Sequence, residues 1–168
     1  RLLDDENNEV GPGEIGVLEV SGPTSGLMYW NQRAKTKDTF RGPWTRTGDK
    51  YTRDENGIFT YCGRNDDMLK VGGIYVSPFE VEAALVSHEA VLEAAVVGQL
   101  DQDELVKPKA FVVLNQGVEA SEATAAMLRD FVKNDLAAYK YPRWIEFLED
   151  LPKTATGKIQ RFKLRDDG

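Results

Sequence analysis

Residues 63–76, GRNDDMLKVGGIYV, constrain the fold more than any other stretch of this chain. The run passes from polar to apolar and then to Gly72-Gly73, and the chain changes character across it. Upstream, short segments are broken by Gly, Pro, Asn and Asp, the texture of β-structure with tight turns. Downstream, strand-like and helix-like segments alternate, the texture of an α/β unit. Asp66 and Asp67 are adjacent carboxylates at the join. Like charges side by side resist common burial, which predicts an exposed join. Gly72-Gly73 permits positive φ and a close approach of the backbone to another segment or a ligand. Taken alone, the stretch also reads as a charged linker followed by a tight turn.

Before the join, Gly16–Ser21 (GVLEVS) alternates as a half-buried strand should, and DENG at 54–57 is a turn signal with Ile58–Cys62 returning after it. Leu27–Trp30 is a short apolar run followed by a polar stretch, Asn31–Asp38. Residues 1–62 therefore read as a small antiparallel β unit with few apolar residues for a core of its own. After the join, Met68–Val71 reads as a strand. Ser77-Pro78-Phe79-Glu80 is a capping box with Pro at the first helical position, opening a helix that ends near His88. Val91–Val97 and Lys109–Leu114 are strands. Ser121 caps a second helix carrying Ala125, Leu128, Phe131, Val132 and Leu136, which Pro142 prevents from extending. Arg143–Leu148 is the last strand. The fold class is mixed α/β (α+β), with an antiparallel β subdomain over 1–65 and a compact β-α-β-β-α-β domain over 66–168.

Composition removes several classes of function. A net charge of −7 argues against general nucleic-acid binding, which needs clustered Lys and Arg, and the one basic cluster runs from Lys153 to Arg165. Cys62 is the single cysteine, which excludes an internal disulfide and suits a reducing cytoplasm, and its apolar run predicts a buried strand thiol. His88, the single histidine, has no metal-spaced partner and reads as structural. No apolar run reaches the length of a membrane span and no signal-peptide pattern opens the chain. Arg1-Leu2-Leu3 without a Met is expected of a piece of something longer.

The chemistry-bearing stretch is PKTATGKIQR, residues 152–161, where Lys158 sits beside Gly157 near the tip of a polar loop. A lysine presented this way is a point charge suited to a carboxylate or phosphate oxygen, although the Gly spacing of a phosphate loop is missing. Thr47-Gly48-Asp49 pairs a glycine with a carboxylate, as ribose-gripping sites and ordinary turns both do.

Trp44–Asp49, Gly63–Gly73, Tyr139–Pro142 and Pro152–Lys158 occur in the order, and near the spacing, of the C-terminal motifs of adenylate-forming enzymes. The resemblance covers essentially the whole chain, and the texture of residues 48–98 is most similar to aryl-CoA ligases of the benzoate type. It implies an ATP-dependent, AMP-forming acid–thiol ligase that makes an aryl-AMP and then an aryl-CoA. Residues 1–65 would end the large domain and 66–168 would form the C-terminal lid. By the same resemblance Lys158 is the adenylation lysine and Asp66 the hinge. Asp49 and Arg64 contact the ribose of ATP. Gly72, Gly73 and Ile74 line the tunnel for the pantetheine arm of coenzyme A, and Tyr139 packs on its adenine. The implied partners are a small aromatic carboxylic acid, ATP with Mg held mainly by residues upstream, and CoA, with a protein acyltransferase acting on Lys158. Tyr141 stands where some relatives carry Arg for the CoA nucleotide, which shifts that contact to Lys140 or Arg143. An aryl-acid adenylation domain that loads a carrier protein, or a non-catalytic binding module, fits the same residues. The phosphate loop and acyl pocket are absent from this stretch, so the segment alone is expected to be inactive.

Overall fold

A computed structural model describes residues 1–165. The chain divides into two compact units, one over Arg1–Asp66 and one from Asp67 on.

The first unit is an antiparallel sheet. Its strands are β1 (Leu2–Leu3), β2 (Gly16–Val20), β3 (Phe40–Arg41), β4 (Trp44–Arg53) and β5 (Phe59–Arg64), in the order β1-β2-β4-β3 with β5 also on β4. The DENG signal makes the β4–β5 turn, where Asp54 Oδ1 accepts from the Ile58 N–H at 2.8 Å. Asn31–Asp38, expected only as a polar stretch, contains α1 (Arg33–Thr39), a helix with no buried residue and no side-chain cap from Gln32. With no apolar face there is no period to read. In β2 the alternation runs against hydropathy, with Glu19 1% exposed and Val20 41%. Arg1 holds the Glu19 carboxylate at 2.9 Å and Arg46 lies 3.5 Å from it. The fully buried Lys50 lies 3.4 Å from Asp5. Breaking such pairs from one side strands a charge, typically at about 3–5 kcal/mol.

The second unit opens with a two-stranded hairpin, β6 (Leu69–Val71) and β7 (Ile74–Val76), that forms its own sheet. The helix α2 (Pro78–Val86) starts at Ser77, whose Oγ accepts from the Glu80 N–H at 3.4 Å. Strands β8 (Val91–Leu100) and β9 (Val106–Leu114) pair antiparallel, and β10 (Trp144–Phe147) adds to β9 in parallel. A parallel neighbour needs a crossover, which α3 (Glu122–Asp135) supplies. That helix stops well before Pro142. Leu136 is already extended, at φ −115° and ψ 164°, so the proline acts on the connection rather than on the helix. The short helix α4 (Arg161–Arg165) closes the described unit. The observed order from Leu69 is therefore β-β-α-β-β-α-β-α; the extra strand and the last helix are too short to show a period.

Residues 94–97 of β8 and 110–113 of β9 are apolar on both sides because both faces of the sheet are covered there. Ala94, Val96, Ala110 and Val112 face Val81 and Leu85 of α2 and Leu128 and Val132 of α3. Ala95, Val97, Phe111 and Val113 face the other way, onto Leu151, Ile159 and Leu164. The polar loop of residues 152–158 is thus carried by the segment that seals the second face of the sheet. Truncating Phe111 to Ala costs about 3–5 kcal/mol and loosens that seating.

Candidate active site

Lys158 lies on a tight stem. Lys153 and Ile159 form an antiparallel bridge, and the Thr154 N–H donates to the Lys158 carbonyl at 2.8 Å. The Gly157 N–H returns to the Thr154 carbonyl at 2.9 Å, and the Lys158 N–H donates to Thr154 Oγ1 at 3.1 Å. The backbone is thereby satisfied within the loop while the Lys158 side chain is exposed. Its ammonium has no hydrogen-bond or ion-pair partner among the described residues.

The neighbouring cations differ. Lys153 Nζ is held by Glu93 at 2.7 Å and Asp150 at 3.1 Å, and these hydrogen bonds push its pKa up. The same Lys153 pulls the Asp150 carboxyl below its ordinary value. Arg161 grips Glu82 with its guanidinium, Nη2 donating to Oε2 at 2.8 Å and to Oε1 at 2.9 Å, and lies over the Phe79 ring at 4.6 Å. Glu82 Oε1 also accepts from the Val96 N–H at 2.8 Å. Burial pushes the Glu82 pKa up, against the pull of Arg161 and the Val96 N–H. Arg161 further lies 3.9 Å from Asp67, which also bonds Arg165. Within the basic cluster Lys153, Arg161 and Arg165 are thus held by carboxylates, and Lys158 is presented from the tight loop while Lys163 lies exposed on α4.

Gly72 and Gly73 form the two-residue turn between β6 and β7, with φ of +58° and +86°. This is the left-handed pairing that a tight hairpin of right-twisted strands requires. A Cβ at either position would meet nothing within 4 Å, so conformation selects glycine here and crowding does not. Ile74, the next residue, is half exposed at 51%. Tyr139 is exposed in the connection after α3. Lys140 beside it is bound by Glu80 at 2.6 and 2.7 Å, whereas Arg143 stacks over Tyr141 at 4.3 Å.

In the first unit, Asp49 and Arg64 are cross-strand partners, and Arg64 Nη1 donates to Asp49 Oδ1 at 3.2 Å. Gly48 lies under the guanidinium, where a Cβ would come within 3.3 Å of Arg64 Nη2. The Asp49 N–H donates to Thr47 Oγ1 at 3.2 Å, and that hydroxyl donates to the Leu18 carbonyl at 3.0 Å, which holds the turn to β2. Asp66 is exposed at the end of this unit and Asp67 half-buried at the start of the next, so the join is less open than adjacent carboxylates suggested. The structure joins Asp49 to Arg64 directly; Lys158, Gly72-Gly73 and Tyr139 stand on three separate segments of the second unit. Cys62 is a buried free thiol, and His88 accepts from the Ala90 N–H and packs edge-on to Phe131, both structural.

Residues 80–158 match the model of the AMP-binding enzyme C-terminal domain, which includes the whole span from α2 to the presented lysine. The second unit carries an AMP-binding enzyme C-terminal domain. Among curated AMP-binding relatives, it is 63% identical over 98% of its length to the benzoate–CoA ligase of Thauera aromatica and 54% identical over 99% to the 4-hydroxybenzoate–CoA/benzoate–CoA ligase of Rhodopseudomonas palustris. It covers 32% and 31% of those two proteins, about a third of their length. Solved AMP-binding structures agree. An anthranilate CoA ligase in complex with anthranoyl-AMP superposes with a TM-score of 0.91 at 53% identity, over 99% of this chain and 32% of that one. A benzoate CoA ligase from Burkholderia xenovorans superposes with a TM-score of 0.88 at 57% identity, over 98% and 32%.

Sequence reasoning passed over Glu82 and the pairing of Lys153 with Glu93 and of Arg161 with Glu82 and Asp67. One local signal for Glu82 existed: it shares a helical face with Val81 and Leu85, where a carboxylate has to find a cation.

Proposed function

We propose that this chain is a segment of an ATP-dependent aromatic acid–CoA ligase of the benzoate type, in which it supplies the adenylation lysine, the hinge and the pantetheine path. One observation carries the reading: Lys158 is presented without a partner among the described residues while Lys153 and Arg161 on either side are neutralised by carboxylates. Joining a carboxylate to the α-phosphate of ATP brings two anions together. The Lys158 ammonium bridges them and stabilises the charge that spreads in the transition state. Asp49 accepts from the ribose hydroxyls, with Arg64, which already holds that carboxylate, beside the same sugar. For thioester formation the thiol must reach the acyl carbon, so the lysine loop has to leave. Rotation at Asp66 exchanges the Lys158 loop for the Gly72-Gly73 turn. That turn puts no side chain in the way of a pantetheine arm, and Ile74 lines its flank. Tyr139 offers its ring to the adenine of CoA. With Lys140 held by Glu80, Arg143 is the better cation for the CoA phosphates.

No group of three or more His, Cys, Asp or Glu side chains among the described residues would hold a metal, so the Mg that accompanies ATP is ligated elsewhere in this reading. No helix among the described residues is long and apolar enough to cross a membrane. A cytoplasmic setting belongs to the proposal because Cys62 is a free thiol. The exposed Lys158 is also the position a protein acyltransferase would modify.

The test separates the half-reactions in the full-length ligase. Lys158→Ala should lose pyrophosphate exchange with benzoate while still converting supplied benzoyl-AMP to benzoyl-CoA. Equal loss in both steps removes the role. A carrier-bound pantetheine accepted in place of CoA would move the protein to the carrier-loading class.

A further inference from the structure

Nothing in the reading above assigns a role to the buried pair that follows the lysine loop. Strand β8 is an edge of its sheet, and the Val96 N–H on that edge would face outward unpaired. Glu82 reaches it from α2 on one face of the sheet. Arg161, at the start of α4 on the other face, reaches round the same edge to the same carboxylate. Both side chains are only 10% exposed. Arg161 directly continues the stem that holds Lys158, since the Gln160 N–H donates to the Pro152 carbonyl at 2.8 Å and closes the loop just before it. Asp67, the first residue of the second unit, lies against Arg161 as well. Beside the apolar seating of Leu151 and Ile159, the loop therefore has a buried charged anchor, and that anchor also touches the start of the unit.

We propose that Arg161, clasped by Glu82 and Asp67, is a positioning residue for Lys158. It sets where the lysine stands relative to the sheet and ties the loop to the segment beside the inter-unit boundary. This rests on the adenylation role of Lys158. A fork-shaped donor is needed because two parallel bonds and the stack on Phe79 fix orientation as well as distance, which a lysine at 161 does not reproduce. A displacement of the lysine by an ångström is enough to lower a rate by about 100-fold.

The experiment uses the full-length ligase carrying Arg161→Ala, Arg161→Lys, Lys158→Ala and the Arg161→Ala/Lys158→Ala double variant. Pyrophosphate exchange with benzoate and thioester formation from benzoyl-AMP are measured separately. Arg161→Ala should lower kcat for adenylation by about 10- to 100-fold with KM for benzoate and ATP little changed, and Arg161→Lys should recover part of it. Thioester formation should stay near the parent rate. The double variant should be no slower in adenylation than Lys158→Ala, because a positioning residue has nothing left to position. Losses that add, or equal losses in both half-reactions, assign Arg161 to general structure and overturn the proposal. Lys158→Ala inactive beside Arg161→Ala at the parent rate overturns it alone; Lys158→Ala that still adenylates overturns the functional reading with it. Glu82→Gln keeps the shape of the carboxylate and should give a smaller loss in the same half-reaction. It decides the matter by the same criteria if Arg161→Ala does not fold.

Discussion

Two exposed turns of the second unit, Gly72-Gly73 and the Lys158 loop, are both short and tight, yet they are built in opposite ways. The glycine turn consists of backbone alone, at the tip of two three-residue strands, with no atom near where a Cβ would be. The lysine loop is braced by the Thr154 hydroxyl, by Lys153 on Glu93, and by Arg161 on Glu82. The first presents an absence of side chain, the second a single cation. A slot for a passing chain needs the former; a charge placed against two anions needs the latter and the bracing that aims it. Under the proposed function, two half-reactions that must not share a surface would be served by two turns of different construction.

Four variants break or sharpen that contrast. Acetylation of Lys158 should cost most, lowering pyrophosphate exchange by about 100- to 1,000-fold while sparing benzoyl-AMP discharge, since it removes the charge and leaves the loop backbone intact. A site-specifically acetylated enzyme exchanging normally would erase the distinction. Asp66→Pro should come next, because proline locks φ where the units must turn. We expect adenylation to survive and overall turnover to fall by at least about 10-fold, read from aryl-CoA release against the pyrophosphate exchange of the same preparation. Gly73→Leu should slow CoA-dependent discharge of a preformed aryl-AMP while leaving the exchange reaction near normal. The chain itself has room for the side chain, so the stability cost is the positive φ, about 1–2 kcal/mol, checked by denaturant unfolding. A mutant whose aryl-AMP is discharged at the parent rate returns Gly72-Gly73 to an ordinary turn.

The smallest effect concerns Glu82 and pH. Burial raises its folded pKa above the ordinary 4.5, so the folded state binds that proton more readily than the unfolded chain does. From 4.5 upward to the raised value, stability therefore falls as pH rises, with Arg161 and Asp67 the charges that face it. Glu82→Gln should flatten this slope in a series of unfolding midpoints. Asp4, Asp101 and Asp150, lowered from 3.8, act in the opposite sense and in a more acid window. An unchanged slope in the variant would show that Glu82 is ionised throughout.

Local chemistry was legible and long-range chemistry was not. DENG wrote its hairpin, Ser77 and Ser121 wrote their caps, and Gly72-Gly73 wrote its turn, because each needs only neighbours a few residues away. The presented lysine was legible too, from Pro, Thr and Gly around it. What neutralises the cations on either side of it was not: Lys153 and Glu93 are 60 residues apart, Arg161 and Glu82 79. Glu19 and Lys50 were equally opaque, since a strand pattern places a charge on the inner face without naming the cation or carboxylate that permits it. The helix at Arg33–Thr39 was missed for want of any apolar stripe.

The span between Arg161 and Glu82 also orders events in time. Contacts so distant in sequence pay their loop-closure entropy late, so the sheet with α2 and α3 can collapse before α4 arrives. Until it does, one face of that sheet lacks Leu164 and the Glu82 carboxylate at the Val96 edge lacks its cation. Before that, the unit has an uncovered sheet face and a lysine loop that has no address. The element proposed to aim Lys158 is also the one whose arrival covers that face.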